Sequence, residues 1–186
     1  MNPYEPPDTQ LIPDFDAGFS MAQWWTHSWS LNDDPVTVLH REPFRLKWFA
    51  TRLVTFVFVI NRTPFDIASI DADYAAMRIF ASQHKRTWIP FTLQCGYALL
   101  PIYVGKSFSN ALIHEIHSRF KKRWCVFHVP SLLDSDNGTV HTLHHNSFLG
   151  CVYRDYVHAT VYQVADAVQT GKLAAQLIGF DFASAD

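Results

Sequence analysis

Histidines are the residues of this chain whose type and spacing come nearest to chemistry. His141, His144 and His145 fall within the short stretch "TVHTLHHNSF", and His114 and His117 precede them in "LIHEIH". Imidazole nitrogens bind transition metals, and an ordinary pKa of about 6.5 suits general acid–base catalysis. The first question for the C-terminal half is therefore whether these side chains form a metal or catalytic site.

A hairpin would position the later histidines. Two strand-like runs meet at Asn137-Gly138, a dipeptide that favours a two-residue type I′ turn. In that register Asp134 lies opposite His141, and His145 shares their face. A carboxylate beside an imidazole orients its tautomer and raises its basicity. The pattern predicts Asp134 and His141 as a catalytic pair, and His141 and His145 as metal ligands.

The same hairpin has a simpler interpretation, in which polar side chains cover a half-exposed face. His128 shares that face, but at ~3.3 Å per residue it lies about 20 Å from Asp134, too far for one metal. His114 and His117 are spaced i, i+3, whereas the zinc motif HExxH needs i, i+4. We therefore expect no cofactor, and a divalent metal at the hairpin is the alternative.

Other reactive constellations are absent from the sequence. It contains neither G-x-S-x-G nor a glycine-rich phosphate loop, and Cys95, Cys125 and Cys151 form no CxxC pair. Three dispersed cysteines are typical of buried thiols in a reducing compartment. The longest apolar run, 53–60, is far shorter than the roughly 20 residues that cross a bilayer. These features predict a cytoplasmic protein without membrane insertion.

Charge is distributed unevenly along the chain. Residues 1–40 carry six acidic residues and no Lys or Arg, whereas the remainder carries all 15 basic residues and 11 of the 17 acidic ones. Attraction between the two parts is the simplest consequence. A basic run that could contact phosphate, with aromatic neighbours for base stacking, comprises Arg119, Lys121, Lys122 and Arg123. The favourable charge of cations at a helix end explains this run equally well.

The first forty residues are interpreted as a Pro- and aromatic-rich arm, preceding a single domain over 41–186. Several large aromatics recur there at roughly helical spacing, which predicts an amphipathic helix. Such side chains do not remain in water, so the segment either packs on the domain, within the chain or in a homodimer, or binds a partner. The predicted partner-binding residues are Phe15, Phe19, Trp24, Trp25 and Trp29.

Hydrophobic periodicity defines the elements of the domain. It predicts a central strand at 45–62, helices at 63–86, 108–122 and 153–171, an edge or bulged strand at 87–104, and the hairpin at 124–148. The resulting order is β-α-β-α-β-β-α. We expect an α+β fold with one mixed sheet of about four strands and about three packed helices.

The absence of a converging reactive constellation favours a non-catalytic binding or oligomeric interaction module over an enzyme. Self-association or a protein partner is expected. One alternative is a metal- or histidine-assisted hydrolase centred on the 124–148 hairpin. A second is a weak nucleic-acid binder that uses Arg119–Arg123.

Overall fold

The fold is mixed α+β, with helices on both faces of one sheet. It was established from a computed structural model, which describes residues 24–45, 51–62, 67–85, 95–119, 121–123, 126–143 and 153–174. None of the helices in these ranges is both long enough and apolar enough to span a bilayer.

The described elements comprise nine strand segments and three long helices. The strands are β1 (Trp25–Leu31), β2 (Asp34–Arg41), β3 (Phe44–Arg45), β4 (Thr51–Asn61), β5 (Cys95–Gly105), β6 (Lys121–Arg123), β7 (Val126–His128), β8 (Ser131–Asp134) and β9 (Val140–His141). The helices are α1 (Ile67–His84), α2 (Asn110–Ser118) and α3 (Arg154–Gln169). The α+β class is confirmed, but four strands understates the sheet.

The sheet runs β1-β2-β4-β5-β7-β6, with β3 beside β4, and β8 joining β5 to β9. Strand β4 is parallel to β5, and β5 is parallel to both β7 and β8. The pairs β1–β2, β2–β4, β6–β7 and β8–β9 are antiparallel. The mixed sheet expected from the sequence is therefore present.

Strand β4 lies between two hydrophobic cores. One core packs the sheet against α1 and α2, and the other packs it against α3. No residue of 53–60 exposes more than 5% of its surface. This confirms the prediction of a central strand covered on both faces, which is why its apolar run does not alternate with polar residues.

The three helices follow the predicted pattern. Ser109 caps α2, since its Oγ accepts a hydrogen bond from the Leu112 amide at 3.2 Å. Val157, Val161 and Val164 are buried on α3. Gly171, with φ of +68°, follows the end of α3 in the left-handed conformation typical of that position.

Of the two alternatives predicted for 87–104, the edge strand is wrong, because β5 is central in the sheet. It lies between β4 and the β7–β8 segment despite containing Pro101. The Val129 amide donates to the Leu99 carbonyl. The backbone groups of every second residue of β5, counted from Leu99 and so including Pro101, therefore point toward this neighbouring segment. The neighbour is itself interrupted at Val129-Pro130, so the donor that Pro101 lacks falls at a break in the ladder.

The hairpin register is the second correction. Leu132, not Asp134, lies opposite His141, so the register is shifted by two residues. The loop spans four residues, 135–138, and the Gly138 amide donates to the Asp134 carbonyl at 2.8 Å. The Asp134 carboxylate stabilises this wider turn by accepting from the Asp136 amide and from Asn137 Nδ2. A two-residue turn would remove both contacts.

The predicted helix across the tryptophans is the third correction. Residues 25–31 form strand β1, which pairs along its whole length with β2. Phe15 and Phe19, in the earlier part of that helix, lie outside the described residues. The division into an arm at 1–40 and a domain at 41–186 stays a prediction. Of that arm, 24–40 contributes two strands to the common sheet.

Candidate functional site

Strand β1 forms one end of the sheet. Within the described part of the chain it pairs with β2 and with no strand on its other side. The two-residue loop Asn32-Asp33 has φ values of 53° and 70°, as a type I′ turn requires. In such a hairpin the backbones of Leu31 and Asp34 exchange two hydrogen bonds. Every second pair along the two strands, counted from this one, does the same. The backbone groups of Thr26, Ser28 and Ser30 therefore point away from β2, toward the open edge.

The side chains of β1 alternate between two environments. Thr26, Ser28 and Ser30 are exposed. On the opposite face Leu31 is buried in the α1 core, and the Trp29 ring lies 4.9 Å from that of Phe80. This alternation gives the strand one apolar, packed face and one short polar face.

Trp24 and Arg41 attach the start of β1 to α3. The Arg41 guanidinium carbon lies 4.1 Å from the centre of the Trp24 ring, in cation–π geometry. Arg41 Nε donates to Tyr156 Oη at 2.9 Å, and Nη2 donates to Thr160 Oγ1 at 2.6 Å. Trp24 itself is only 8% exposed. The edge is thereby fixed to the core at Trp24, the residue immediately before β1.

Arg62 attaches the other end of β1 to α1. Its Nε binds the Asp34 carboxylate at 2.5 Å, its Nη1 binds that of Asp73 at 2.8 Å, and its Nη2 donates to the Leu31 carbonyl. Tyr103 Oη also donates to Asp73, which is fully buried. Burial raises the pKa of Asp73, and the attraction of Arg62 only partly offsets this. The network therefore holds the turn in place, but it requires the Asp73 carboxylate to be buried, which carries a desolvation cost.

A row of histidines lies behind β1. The His27 ring is 5.0 Å from that of His84 on α1 and 6.0 Å from that of His40 on β2. His40 Nε2 is 3.1 Å from Glu42 Oε1. His84 Nδ1 donates to the Phe80 carbonyl, because a carbonyl can only accept, and this fixes the tautomer of His84. The His27 ring packs edge-on against His84 and tilted against His40, which gives the apolar face of β1 further support.

Strand β6 forms the opposite end of the sheet, since among the described strands it pairs with β7 alone. It has three residues, Lys121–Arg123, each of a basic type. Neighbouring Arg119 is held by Asp71 and Glu115, both at 2.8 Å, and its side chain is only 11% exposed. The basic run thus continues from the end of α2 into an edge strand. Its predicted role in anion binding is not tested by this arrangement.

The predicted histidine site lies only partly within the described residues and stays a prediction. His141 lies 5.9 Å, ring to ring, from His117 of α2, so the two histidine groups singled out in the sequence meet. Burial lowers the pKa of His141, and the attraction of Asp134 does not reverse the shift. His145 lies outside the described residues. No group of three or more metal-ligating side chains occurs in the ranges described.

Three predicted partner-binding tryptophans have different positions. Trp24 is buried, Trp29 is half-buried in the α1 core, and Trp25 exposes 41% of its surface. The sequence interpretation missed the edge strand itself. The pattern that indicates this strand is the alternation of large side chains at Trp25, His27, Trp29 and Leu31 with small polar ones. It ends at the turn dipeptide Asn32-Asp33.

Comparison of the chain with protein families, with curated proteins and with solved structures gives no match in any of the three.

Proposed function

We propose that this protein is a binding module that recruits a protein partner by adding a strand to β1. The observation that supports this is the unprotected character of the edge. A row of outward backbone groups is a template for another strand, and proteins usually block it with charge, proline, a bulge or shortness. Strand β1 has seven residues, contains no charged residue or proline, and pairs with β2 without a bulge.

The attachments of β1 also support binding. Arg41 and Arg62 hold its two ends, and the packing of Trp29 against Phe80 holds its middle. A preformed edge loses little conformational freedom on binding, which favours affinity. Trp25 beside the edge supplies an exposed aromatic surface of the kind that dominates binding energy at interfaces.

The test is the binding of fluorescent strand-forming peptides to the full chain, measured by anisotropy. The probes are uncharged peptides of about seven residues with alternating aromatic or β-branched side chains, including the β1 sequence WTHSWSL. We expect Ser28→Lys to abolish binding, because it places a charge on the edge. Gln83→Lys is the matched control, since it adds the same charge to an exposed position of α1.

Absence of binding by every probe to the unmodified chain would contradict the proposal. So would equal binding by Ser28→Lys and Gln83→Lys. Both variants change exposed side chains, so we expect circular dichroism and thermal unfolding to match those of the unmodified chain.

The contact between His117 and His141 favours a second candidate function, histidine-assisted chemistry at the β8–β9 hairpin. With its pKa lowered, His141 is neutral at pH 7 and is therefore able to accept a proton or bind a metal. Titration of the full chain with zinc, monitored by isothermal calorimetry, tests this. Binding that is lost in both His117→Ala and His141→Ala supports the site, and binding unchanged by either excludes it.

A further inference from the structure

The two ends of the sheet differ in how they could meet their own copy. Two β6 strands would bring Lys and Arg opposite Lys and Arg, and like charges directly opposite each other are destabilising. Two β1 strands would meet without any such repulsion, because Trp25–Leu31 carries no charged residue. Strand β1 is thus electrostatically compatible with itself.

The geometry of the edge restricts how two β1 strands could pair. Two copies of a strand in one continuous antiparallel sheet are related by a two-fold axis perpendicular to it. Residues with outward backbone groups must then lie opposite one another, and in β1 these are Thr26, Ser28 and Ser30. An axis through Ser28 places Ser28 opposite Ser28 and Thr26 opposite Ser30, each pair exchanging two backbone hydrogen bonds.

Other registers satisfy the edge less well. An axis through His27 leaves Ser30 beyond the start of the neighbouring strand. An axis through Trp29 places Thr26 against the Asn32-Asp33 turn. Only the axis through Ser28 pairs all seven residues of both strands.

The same register accounts for the side chains. On the α1 face it places Trp25, the exposed tryptophan, opposite Leu31 of the second copy, and His27 opposite Trp29. On the other face the small polar side chains of Thr26, Ser28 and Ser30 form a ladder that can stay in water. Aromatic and hydroxyl pairs of this kind stabilise neighbouring strands.

We propose that the strand received by β1 is β1 of a second copy of this chain, paired antiparallel about a two-fold axis at Ser28. The product is one continuous sheet through both copies. This inference rests on the proposed function, since it names the partner of the same edge.

Variants of the full chain that each introduce one additional cysteine test the register. Residues opposite each other in a hydrogen-bonded pair have Cα atoms about 5.5 Å apart, within the range of a disulfide. We expect Ser28→Cys to form a covalent dimer on mild oxidation. Thr26→Cys and Ser30→Cys should each form little dimer alone, but an equimolar mixture of the two should form a mixed dimer.

The oxidised unmodified chain is the control for its three native cysteines. Covalent dimer of Ser28→Cys no greater than in this control would overturn the inference. So would a mixture of Thr26→Cys and Ser30→Cys that forms no more dimer than either alone.

Sedimentation of the unmodified chain from about 1 to 100 μM separates this inference from the proposed function. Concentration-dependent dimers that Ser28→Lys removes, and Gln83→Lys keeps, support both. A monomer at every concentration that still binds a strand peptide retains the proposed function and overturns the second copy as partner. A monomer with slow amide exchange at Thr26, Ser28 and Ser30 shows that another segment of the same chain occupies the edge, and overturns both.

Discussion

The two ends of the sheet solve the problem of an exposed edge in opposite ways. Strand β6 is short and consists of Lys-Lys-Arg, both of which discourage pairing. Strand β1 is more than twice as long, is uncharged, and directs the backbone groups of Thr26, Ser28 and Ser30 outward. The difference shows that short length and charge protect the β6 edge and not the β1 edge, which is why β1 is the edge at which we propose that binding occurs.

The supports behind the two edges differ in the same direction. Behind β1, Asp73 and Tyr103 are fully buried and linked through Arg62 to the β1–β2 turn. Before β6, Arg119 is itself only 11% exposed, but the carboxylates that it binds, Asp71 and Glu115, are 51% and 41% exposed. Exposed ion pairs contribute little stability, whereas breaking a buried pair is strongly destabilising. The predictions below test this contrast, from the largest expected effect to the smallest.

Replacing Arg62 should have the largest effect. Arg62→Met keeps most of the side-chain volume but leaves Asp73 charged and buried, which is expected to lower the free energy of unfolding by about 3–5 kcal/mol. Urea unfolding at pH 7 measures the loss. Arg154→Met is the matched control, because Arg154 forms a longer, exposed pair with Asp155 and its loss should stay within about 0.5 kcal/mol.

The loss in Arg62→Met should also depend on pH. Burial raises the pKa of Asp73 above its ordinary value of 3.8, and loss of the attraction of Arg62 raises it further, so the buried carboxylate of the variant is neutralised as the pH falls through this raised pKa. The destabilisation should therefore shrink between pH 7 and pH 4. A loss that stays constant over this interval would show that Asp73 is not the group left uncompensated.

Removing the charges of β6 should make the second edge resemble the first. We expect the triple variant Lys121→Thr, Lys122→Thr and Arg123→Thr to associate with its own copies more strongly. The constant for self-association should rise about tenfold, which corresponds to about 1.4 kcal/mol. Sedimentation at several concentrations measures it, with Lys106→Thr as a control for an exposed lysine away from the edge. Unchanged association in the triple variant would mean that charge is not what protects β6.

Removing the cap of α2, the helix that leads into β6, should have a smaller effect. Ser109→Ala deletes the acceptor of the Leu112 amide, which is expected to lower the free energy of unfolding by about 1 kcal/mol. Thermal or urea unfolding measures this, and Ser109→Asp should restore most of it. A full loss in Ser109→Asp would mean that the hydroxyl acts by packing and not as a cap.

The smallest effect is expected at His141. Burial lowers the pKa of this side chain below 6.5, so the unfolded chain binds the proton more readily. Its contribution to stability should be complete above pH 6.5 and should be lost as the pH falls through the lowered pKa. Unfolding measured from pH 8 to pH 5 should be less pH-dependent in His141→Gln, and an identical profile would argue against this assignment.

Local patterns in the sequence predict much of the fold. The period of apolar residues identifies α1, α2 and α3, and the doubly buried run identifies β4 as central. The central position of β5 is not predictable from the sequence, because a proline such as Pro101 normally indicates an edge strand. The neighbouring strand is interrupted opposite Pro101, and only the tertiary structure reveals this. The hairpin register was wrong because Asp134 selects a longer turn through its own hydrogen bonds.

The candidate site was less predictable than the fold. The tryptophans draw attention to residues 24–31, but their spacing fits both the period of a helix and that of a strand. The alternation of side chains that ends at the Asn32-Asp33 turn indicates the strand that the structure shows. That β1 is an edge depends on strand order, which short stretches of sequence do not encode. The meeting of His117 with His141 likewise depends on packing of α2 against the hairpin.

The link from Arg62 to both the β1–β2 turn and α1 has a consequence for how the molecule opens. Leu31, Asp34 and Asp73 are joined through one guanidinium, so the hairpin cannot detach from α1 without exposing that charge network. Local opening of either element therefore requires opening of the other. In native-state hydrogen exchange the first hairpin and α1 should behave as one cooperative unit, with amides on both elements exchanging at a common free energy.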